Sequence, residues 1–436
     1  MRKQTRSENL LWWQLSLIGV GCIIGTGYFL GSSIAIQKAG NAVLIAYALA
    51  GVGTWFVFQA LAKLTAHQPV KGSFRTYAKH AFGEWAGFSN GWVYWSCEML
   101  IMGSQLTALS IFAQYWFPKT PLWIFAAVFA ILGLSIILMG VHKVEQMENV
   151  FGVMKVAAIV MFLIVAIAAI TGLINPIESS KNTGSPLSDL FPNSGIGLWT
   201  ALLYAFYAFG GIEIMGLMAE HLDNPKDAQK SGNIMLLVLS SLYLLSFYFV
   251  LKLNSSTGIT PDESPFLTVL IAYKLPVFVP HVFNSILIIA GFSTMVASLY
   301  AVTTMLLTLA EEGDAPKLFT QKKEDKVPLP AFGLTTFVVA ISIIIALLLP
   351  GKIFEYLTTA AGLMLLYNWI FILLSYRKLM ELSVRTQIGV WIAFLLIFFA
   401  VTGTLFDKVS RPGFFVSIGF IILIALATVI KLKRNR

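Results

Sequence analysis

The sequence is poor in charge, because only 12% of its 436 residues are Asp, Glu, Lys or Arg. That is roughly half the charged fraction of a typical soluble domain. Hydrophobic residues make up 57%, more than a water-soluble chain of this length could bury in one or two cores. At ~20 residues for each helix that crosses a bilayer, the apolar content suffices for about twelve spans. The composition excludes the soluble classes and predicts an all-α polytopic membrane protein.

The sequence has few cysteines and no two histidines at a spacing that would bind a metal. The two cysteines, Cys22 and Cys97, lie in apolar runs, which is typical of small packing residues rather than of a disulfide or metal site. The five histidines fall in predicted loops or at span ends and form no i,i+4 ligand pair. The phosphate-binding motif G-x-x-x-x-G-K-[ST] is missing as well. We therefore expect no metal, no cofactor and no ATP-driven transport by this chain alone.

Uncharged runs place the predicted spans. They lie near 12–36, 42–64, 85–115, 122–140, 150–172, 197–219, 232–251, 282–310, 331–350, 354–375, 388–405 and 413–431. The connecting segments are short, so we predict a single transmembrane transporter domain over 1–436. The apolar run after the polar segment Met1–Asn9 has no small-residue cleavage site, which predicts a retained first span rather than a signal peptide.

The positive charges are unevenly distributed between the two sides of the predicted spans. The net charge is +9, but in a membrane protein the location of Lys and Arg in short loops matters more than their sum. With a cytoplasmic N-terminus, 21 of the 30 fall inside and eight outside, and Lys155 is left within a span. This segregation predicts an even number of spans and cytoplasmic termini in the plasma membrane of a bacterial cell, with no nucleic-acid partner.

Two of the predicted spans are interrupted by glycine. The first uncharged run, Leu10–Gln37, has 28 residues, about 42 Å as a straight helix against a hydrocarbon core of ~30 Å. Its centre, Gly21–Gly27, reads GCIIGTG, and the sixth span contains FGGIE over Phe209–Glu213. Glycines at mid-membrane weaken a helix and free its backbone groups, which is tolerable only beside a cavity.

Breaks in the first and sixth spans match a five-plus-five inverted repeat whose binding site lies between the breaks. We accordingly predict a first repeat over about 10–173, a second over about 195–376, and two further helices over about 388–432. The alternative for the first break is a helix-packing motif of the small-x-x-x-small type, formed by Gly21 and Gly25.

Three charged residues lie well inside predicted spans, and such residues are functional candidates by default. Lys155 in the fifth span either reaches the membrane interface with its long side chain or fixes an ammonium where another transporter would bind a cation. In the second case Ser293 and Thr294 are candidate partners, unless their hydroxyls only bond to their own helix. Glu213 either exchanges a proton or caps the restarted sixth helix, and Glu98 faces a cavity or a polar helix contact.

The two breaks suit a zwitterionic solute. N–H groups of the half-helix that restarts after Gly25, at Thr26 and Gly27, attract a carboxylate, and carbonyl groups freed in the breaks can hold an ammonium. The candidate carbonyl groups are those of Gly21, Cys22, Ile23, Tyr207, Phe209 and Gly210. Three aromatic residues of the sixth span either cover this pocket or serve only in helix packing: Phe206, Tyr207 and Phe209.

At these residues the chain resembles the amino acid transporter branch of the amino acid–polyamine–organocation superfamily, over nearly its whole length. The glycine motif of the first span and the motif of the sixth span correspond to the two breaks. Further motifs follow in the family's order: PVxGSFxxY over Pro69–Tyr77, GWxYW over Gly91–Trp95, Ala219-Glu220 with Asn224-Pro225, and LAEEGDAPK over Leu309–Lys317.

The resemblance implies a LeuT-like fold with discontinuous helices 1 and 6, alternating access, and Na⁺-independent, proton-coupled uptake. It places Lys155 at the family's fifth-span lysine and assigns the substrate carboxylate to Thr26 and Gly27. It assigns the substrate amine to the carbonyl groups of Ile23, Tyr207 and Gly210. Three positions depart from the family pattern: Gln105 stands for a third-span carboxylate, Lys63 for an acid near the end of span two, and Thr304 for an arginine in span eight.

The leading interpretation is a permease that imports neutral amino acids by proton symport. The side chains expected around the substrate are small or apolar: Cys97, Ile101, Ala290, Leu357 and Ala360. An amino acid exchanger would use the same pocket, and an amino acid sensor without net transport is a further alternative. No enzyme is expected, because no embedded His or Cys cluster accompanies the carboxylates. The expected partners are an amino acid, protons and the lipid bilayer, and the oligomeric state stays open, a monomer included.

Overall fold

The structure, a computed structural model, describes residues 10–139, 141–177, 194–219, 222–253, 258–320, 329–348 and 352–434. Within these ranges the chain forms helices and turns and no β-sheet, which confirms the predicted all-α class. Glu220 of the sixth-span motif and most of the predicted loop 173–196 lie outside the described residues.

In the described residues eight α-helices lie between positions 12 and 170. They are α1 (Trp12–Ile23), α2 (Thr26–Phe29), α3 (Gly31–Ala39), α4 (Val43–His67), α5 (Ser73–Phe82), α6 (Glu84–Gln114), α7 (Leu122–Met139) and α8 (Val141–Ile170). Nine more lie between positions 194 and 434. They are α9 (Ser194–Tyr207), α10 (Ile212–Met218), α11 (Asp227–Leu253), α12 (Pro265–Ala272), α13 (Phe278–Glu311), α14 (Leu329–Leu348), α15 (Ile353–Leu379), α16 (Val384–Gly403) and α17 (Arg411–Arg434).

These helices account for twelve membrane spans. Nine helices in the described ranges are long and apolar enough to cross a bilayer, and one of them runs from Thr26 to His67. That helix comprises the second half of span one and all of span two. Three shorter apolar helices, α1, α7 and α14, supply the rest of span one and spans four and nine. The interrupted spans are therefore the first, α1 to α3, and the sixth, α9 and α10, as the sequence predicts.

The two faces of the membrane domain are distinguished by the chain ends. The terminal face is the side at which α1 begins and α17 ends, and it also carries α5 and residues 313–320. The distal face carries the end of α3, helix α12 and the connection between α16 and α17. There Lys38 pairs with Glu355 and with Asp407, both at 2.7 Å.

Two short helices, α5 and α12, lie in segments that the uncharged runs leave as loops. Helix α5 covers SFRTYAKHAF on the terminal face, where charged and aromatic residues alternate too closely for a span. Helix α12 begins with Pro265 in its first turn, a position where proline costs no hydrogen bond. Both helices are stabilised by packing on longer helices. Helix α5 packs on α6 and α15, and helix α12 packs on α13.

The interrupted spans are enclosed by straight helices. Helices α13 and α15 pack along α6, while α1 packs against α8, α11 and α13. The second half of span one is fixed by aromatic contacts, since the ring of Tyr28 stacks on that of Tyr243 with centroids 4.2 Å apart. The Tyr28 hydroxyl also shares a hydrogen bond of 2.7 Å with Ser246. This scaffold holds the first break at a defined depth.

Candidate functional site

The first break separates α1 from α2 by two residues in extended conformation. Ile24 has φ −71° and ψ 105°, and Gly25 has φ −152° and ψ −154°. Helix α2 then restarts at Thr26, and no described side chain caps Gly25. The first N–H groups of any helix lack partners within the helix, so those of Thr26 and Gly27 are available. The buried Thr26 hydroxyl also has no hydrogen-bond partner among the described residues.

The second break is a tight turn between α9 and α10. The N–H groups of Phe209 and Gly210 donate to the carbonyl oxygens of Phe206 and Tyr207 at 2.9 and 3.0 Å. Gly211 then adopts φ +116°, a conformation that glycine reaches without the strain of a side chain. The chain leaves α9 through this turn and starts α10 in a new direction.

Lys155 binds the broken end of α1. Its side chain is fully buried, and its ammonium donates to the carbonyl oxygen of Gly21. Helix α8 comes close enough because Gly152, one turn before Lys155, lies against Gly21: a Cβ on Gly152 would be 3.4 Å from the Gly21 Cα. The structure thus directs Lys155 toward the break and away from the membrane interface. Ser293 and Thr294 are buried on the adjacent α13, and the Thr294 hydroxyl donates to Gly291 of its own helix at 3.0 Å.

Glu213 binds the start of α10. One carboxylate oxygen accepts the N–H of Gly211 at 3.0 Å, and the other accepts the indole N–H of Trp369 from α15. The side chain is fully buried. An anion at a helix start interacts favourably with the helix dipole, as a cation does at a helix end. Glu213 therefore stabilises the start of α10, as Lys155 stabilises the end of α1.

The two breaks create four helix ends, and the protein's own charges bind two of them. Lys155 holds the carbonyl end of α1, and Glu213 holds the N–H end of α10. The N–H end of α2 and the carbonyl end of α9 are bound by no charged side chain of the described residues, and the last carbonyl groups of α9 accept only turn N–H groups and the Tyr243 hydroxyl. These two ends lie side by side, because a Cβ on Gly27 would be 3.0 Å from the Tyr207 ring and 3.3 Å from the Ala208 Cα. One end attracts an anion and the other a cation, so together they suit a small dipolar solute.

A small cavity of about 40 Å³ lies between the breaks. A buried water needs at least about 10–15 Å³ by the same measure, so the cavity holds a few waters and must widen to hold an amino acid. Nine of the predicted residues line it: Cys22, Ile23, Gly25, Thr26, Gly27, Ile101, Tyr207, Gly210 and Thr294.

The other predicted residues are placed around the cavity rather than in its lining. Gly21 lies behind it, bound to Lys155. Cys97 is buried with its thiol 3.5 Å from the carbonyl oxygen of Ala361. Phe206 packs edge-on against Trp369 with ring centroids 5.8 Å apart, and Phe209 packs on Tyr243 with centroids 5.2 Å apart. In this conformation both phenylalanines belong to the helix packing.

Three polar residues in the lining were not among the predicted binding residues: Glu98, Gln105 and Ser298. Glu98 and Gln105 lie on α6, and with Ile101 they follow the spacing i, i+3, i+7 of one helix face. That periodicity, starting from an intramembrane carboxylate, is the signal in the sequence that identifies them. The buried Gln105 Oε1 has no partner among the described residues, so the cavity offers a second unsatisfied polar atom besides the Thr26 hydroxyl.

Ion pairs close the terminal face below the cavity. Arg75 of α5 is fully buried and pairs with Glu312 at 2.7 Å and with Asp314. Lys431 of α17 pairs with the same Asp314, and Lys79 lies 3.3 Å from Glu312. Burial alone would raise the pKa of Glu312, but the hydrogen bonds and charges of Arg75 and Lys79 outweigh burial and hold that pKa below its ordinary value. These pairs tie α5 and α17 to the end of α13.

Comparison with known proteins points to one family. The family model described as amino acid permease matches residues 14–433. The chain is 55% identical over 434 residues to the uncharacterized transporter YcgH of Bacillus subtilis, covering all of this chain and 97% of that protein. It is 33% identical to the aromatic amino acid transport protein AroP of Corynebacterium glutamicum, covering 95% of this chain and 94% of the relative. The AroP protein of Escherichia coli K12 is 32% identical over 84% of this chain and 80% of its own length.

Proposed function

Because this chain belongs to the amino acid permease family and has a dipolar site between two broken helices, we propose that it imports neutral amino acids by proton symport. The observation that carries the proposal is the pair of adjacent helix ends, the N–H end of α2 and the carbonyl end of α9, to which no charged side chain of the described residues binds. The N–H groups of Thr26 and Gly27 would bind the substrate carboxylate. The carbonyl groups of Ile23, Tyr207 and Gly210 would bind the ammonium. The Tyr207 oxygen already accepts the Gly210 N–H and keeps a second lone pair for this purpose.

The lining favours a neutral side chain. Glu98 is the only formally charged residue among those that line the described cavity, so an acidic substrate would meet repulsion. Ile101, Ile214 and Ala297 supply apolar surface, which offers no partner to a charged side chain. The names of the AroP relatives refer to aromatic amino acids, and aromatic residues are therefore the first neutral substrates to test.

Lys155 is the group we assign to proton coupling. Both oxygens of Glu213 already accept hydrogen bonds, the role of an ionised carboxylate at a helix start. Loss of the proton from Lys155 would leave a neutral amine, which donates a weaker hydrogen bond to Gly21 and lacks the positive charge that favours a helix end. The carbonyl end of α1, held less strongly, could then move relative to α8, which links the protonation of one residue to the geometry of the substrate site.

In alternating access, the substrate site would open first to one face of the membrane and then to the other. The terminal face, closed here by the Arg75 and Lys431 ion pairs, would be cytoplasmic, in keeping with the excess of basic residues predicted there. The predicted repeats, about 10–173 and 195–376, would rock against each other around the breaks. A monomer contains all of these parts.

The test is uptake of radiolabelled phenylalanine, leucine and serine into proteoliposomes, with and without an imposed pH gradient. We expect accumulation that follows the gradient and does not depend on Na⁺. Na⁺-dependent uptake that ignores the pH gradient contradicts the coupling, whereas an absolute need for internal substrate identifies the exchanger. Saturable binding without any flux identifies a sensor.

A further inference from the structure

A second cavity lies on the distal face, away from the two breaks. Its volume is about 450 Å³, within the range of pockets that bind small organic ligands and about ten times that of the cavity between the breaks. It lies between the ends of α6, α12, α13 and α15. Thr107 of its lining is only two residues beyond Gln105 on α6, so the two cavities are neighbours along that helix.

The charge in this distal cavity has one sign. Its lining contains Asp262 and Glu263, just before α12, and no Lys, Arg or His. Within the described part of the chain neither carboxylate forms an ion pair, and Lys38, a basic residue on the same face, pairs with Glu355 and Asp407 instead. Partial burial, together with the charges of Glu263 and Glu355, raises the pKa of Asp262 above its ordinary value. The pair is thus an uncompensated negative charge beside open volume.

Two buried polar side chains in the same lining each have an oxygen atom without a hydrogen-bond partner among the described residues. Asn284 donates through Nδ2 to the carbonyl oxygen of Phe112 at 2.9 Å, while its Oδ1 accepts from no described group. The hydroxyl of Ser264 has no described partner either. Both residues are at least 99% buried, and a buried polar group without a partner costs free energy. A ligand that donates hydrogen bonds would satisfy them.

The remaining wall is apolar and includes Ile111, Leu267, Ile353 and Phe354. A bare inorganic cation would gain nothing from this surface, whereas an organic cation would bury its hydrocarbon part there. An ammonium group supplies three hydrogen-bond donors and a positive charge. The cavity therefore combines negative charge and hydrogen-bond acceptors for an ammonium with an apolar wall for a hydrocarbon side chain.

We infer that the distal cavity is a second binding site, specific for a protonated primary amine attached to an apolar group. Asp262 and Glu263 bind the ammonium through its charge. The Asn284 Oδ1 and the Ser264 hydroxyl oxygen accept hydrogen bonds from it. In transport the occupant is the entering amino acid, a role that rests on the proposed function. Since the lining has no basic group for a carboxylate, an amine without a carboxylate binds equally well here, although the site between the breaks requires both groups.

Calorimetric titration of the purified full-length protein with 2-phenylethylamine tests this inference. The Gly27→Val variant, in which the site between the breaks is blocked, keeps the amine affinity of the wild type. Adding Asp262→Asn and Glu263→Gln lowers that affinity at least about tenfold, which corresponds to 1.4 kcal/mol. Both acids are exposed, so these changes leave the fold intact. Glu311→Gln, an exposed acid on the terminal face, is the matched control and has no effect.

Three outcomes overturn the inference: unchanged amine affinity in the Asp262→Asn/Glu263→Gln variant, equal affinity for 3-phenylpropionate, or displacement of the amine by NaCl at similar concentrations. The last would mean a site for simple cations. Amine binding that behaves as expected in a protein without pH-driven uptake leaves the distal site standing and rejects the proposed symport. In uptake assays of phenylalanine, the double variant raises KM several-fold and leaves kcat unchanged.

Discussion

The two interrupted spans stabilise their breaks with opposite charges at opposite ends. In the first span a lysine from α8 binds the carbonyl end of α1. In the sixth span a glutamate from α10 itself binds the N–H end of that helix. One break is therefore held from outside by a neighbouring helix and the other from within. The difference shows why the two ends without a bound charge, those of α2 and α9, are an unlike pair that suits a dipolar ligand.

The glycines of the two breaks also serve different needs. Gly27 has an ordinary helical conformation, and what it provides is space beside the Tyr207 ring, 3.0 Å from where a Cβ would lie. Gly211 provides a backbone conformation with φ +116°, which L-residues rarely adopt. It also leaves room for the end of α1, because a Cβ there would be 3.1 Å from the Cys22 carbonyl oxygen. A substitution at the first position should therefore affect the ligand, whereas one at the second should affect the fold.

The largest effect is expected for Gly27→Val. The added side chain would occupy the N–H end of α2, so amino acid binding should fall by about a hundredfold, the upper cost of overpacking. Thermal-shift titration with the transported amino acid measures the loss. Gly31→Ala is the control, because a Cβ there would have its nearest neighbour at 3.8 Å. Wild-type affinity in Gly27→Val would place the substrate elsewhere.

Lys155→Met should come next, because it removes the ammonium and keeps most of the side-chain volume. The Gly21 carbonyl then loses its donor, at a cost of about 1–3 kcal/mol, and pH-driven uptake should fall at least about tenfold. Uptake is compared at equal protein abundance in the membrane. Lys63→Met is the control, since Lys63 lies over the Tyr376 ring at 5.9 Å, away from the break. Near-normal pH-driven uptake would leave Lys155 without a role in coupling.

Glu213→Gln should have a smaller effect on transport than Lys155→Met. The amide oxygen can accept only one of the two N–H groups well, so we expect a loss of about 1.5–3 kcal/mol in stability and a pH-gradient response that persists. Thermal unfolding and gradient-driven uptake are measured on the same preparation. If accumulation becomes independent of the gradient while exchange of labelled substrate continues, the proton is carried by Glu213 and our assignment to Lys155 is wrong.

The sequence predicts the fold better than the site for a physical reason. Span positions follow from uncharged runs, since each span must satisfy its own backbone in lipid, and every predicted span overlaps a helix. The breaks follow from glycine clusters. The roles of Phe206 and Phe209 cannot be predicted from the sequence, because an aromatic side chain suits a packed interface and a ligand cover equally well. The orientation of α9 and of the turn that follows it places both rings in helix packing.

The residues that sequence reasoning missed illustrate the same limit. Glu98 stands out as an intramembrane charge, yet its direction depends on how α6 rotates against α13. The distal cavity is assembled from five separate segments, and its acids lie in a loop, where charged residues are common. Short-range patterns fix which helices form, whereas the lining of a cavity depends on how distant helices pack.

The smallest effect is expected for Gly211→Ala, and it separates the two kinds of glycine. A side chain at φ +116° strains the backbone by about 1–2 kcal/mol, and its Cβ would be 3.1 Å from the Cys22 carbonyl oxygen. The melting temperature should therefore fall, while amino acid affinity in the folded protein falls much less than in Gly27→Val. Gly27→Val should show the reverse, lost affinity with a smaller change in melting temperature. If Gly211→Ala instead abolishes binding at unchanged stability, the second break contributes space to the ligand as the first does, and the division between the two breaks is wrong.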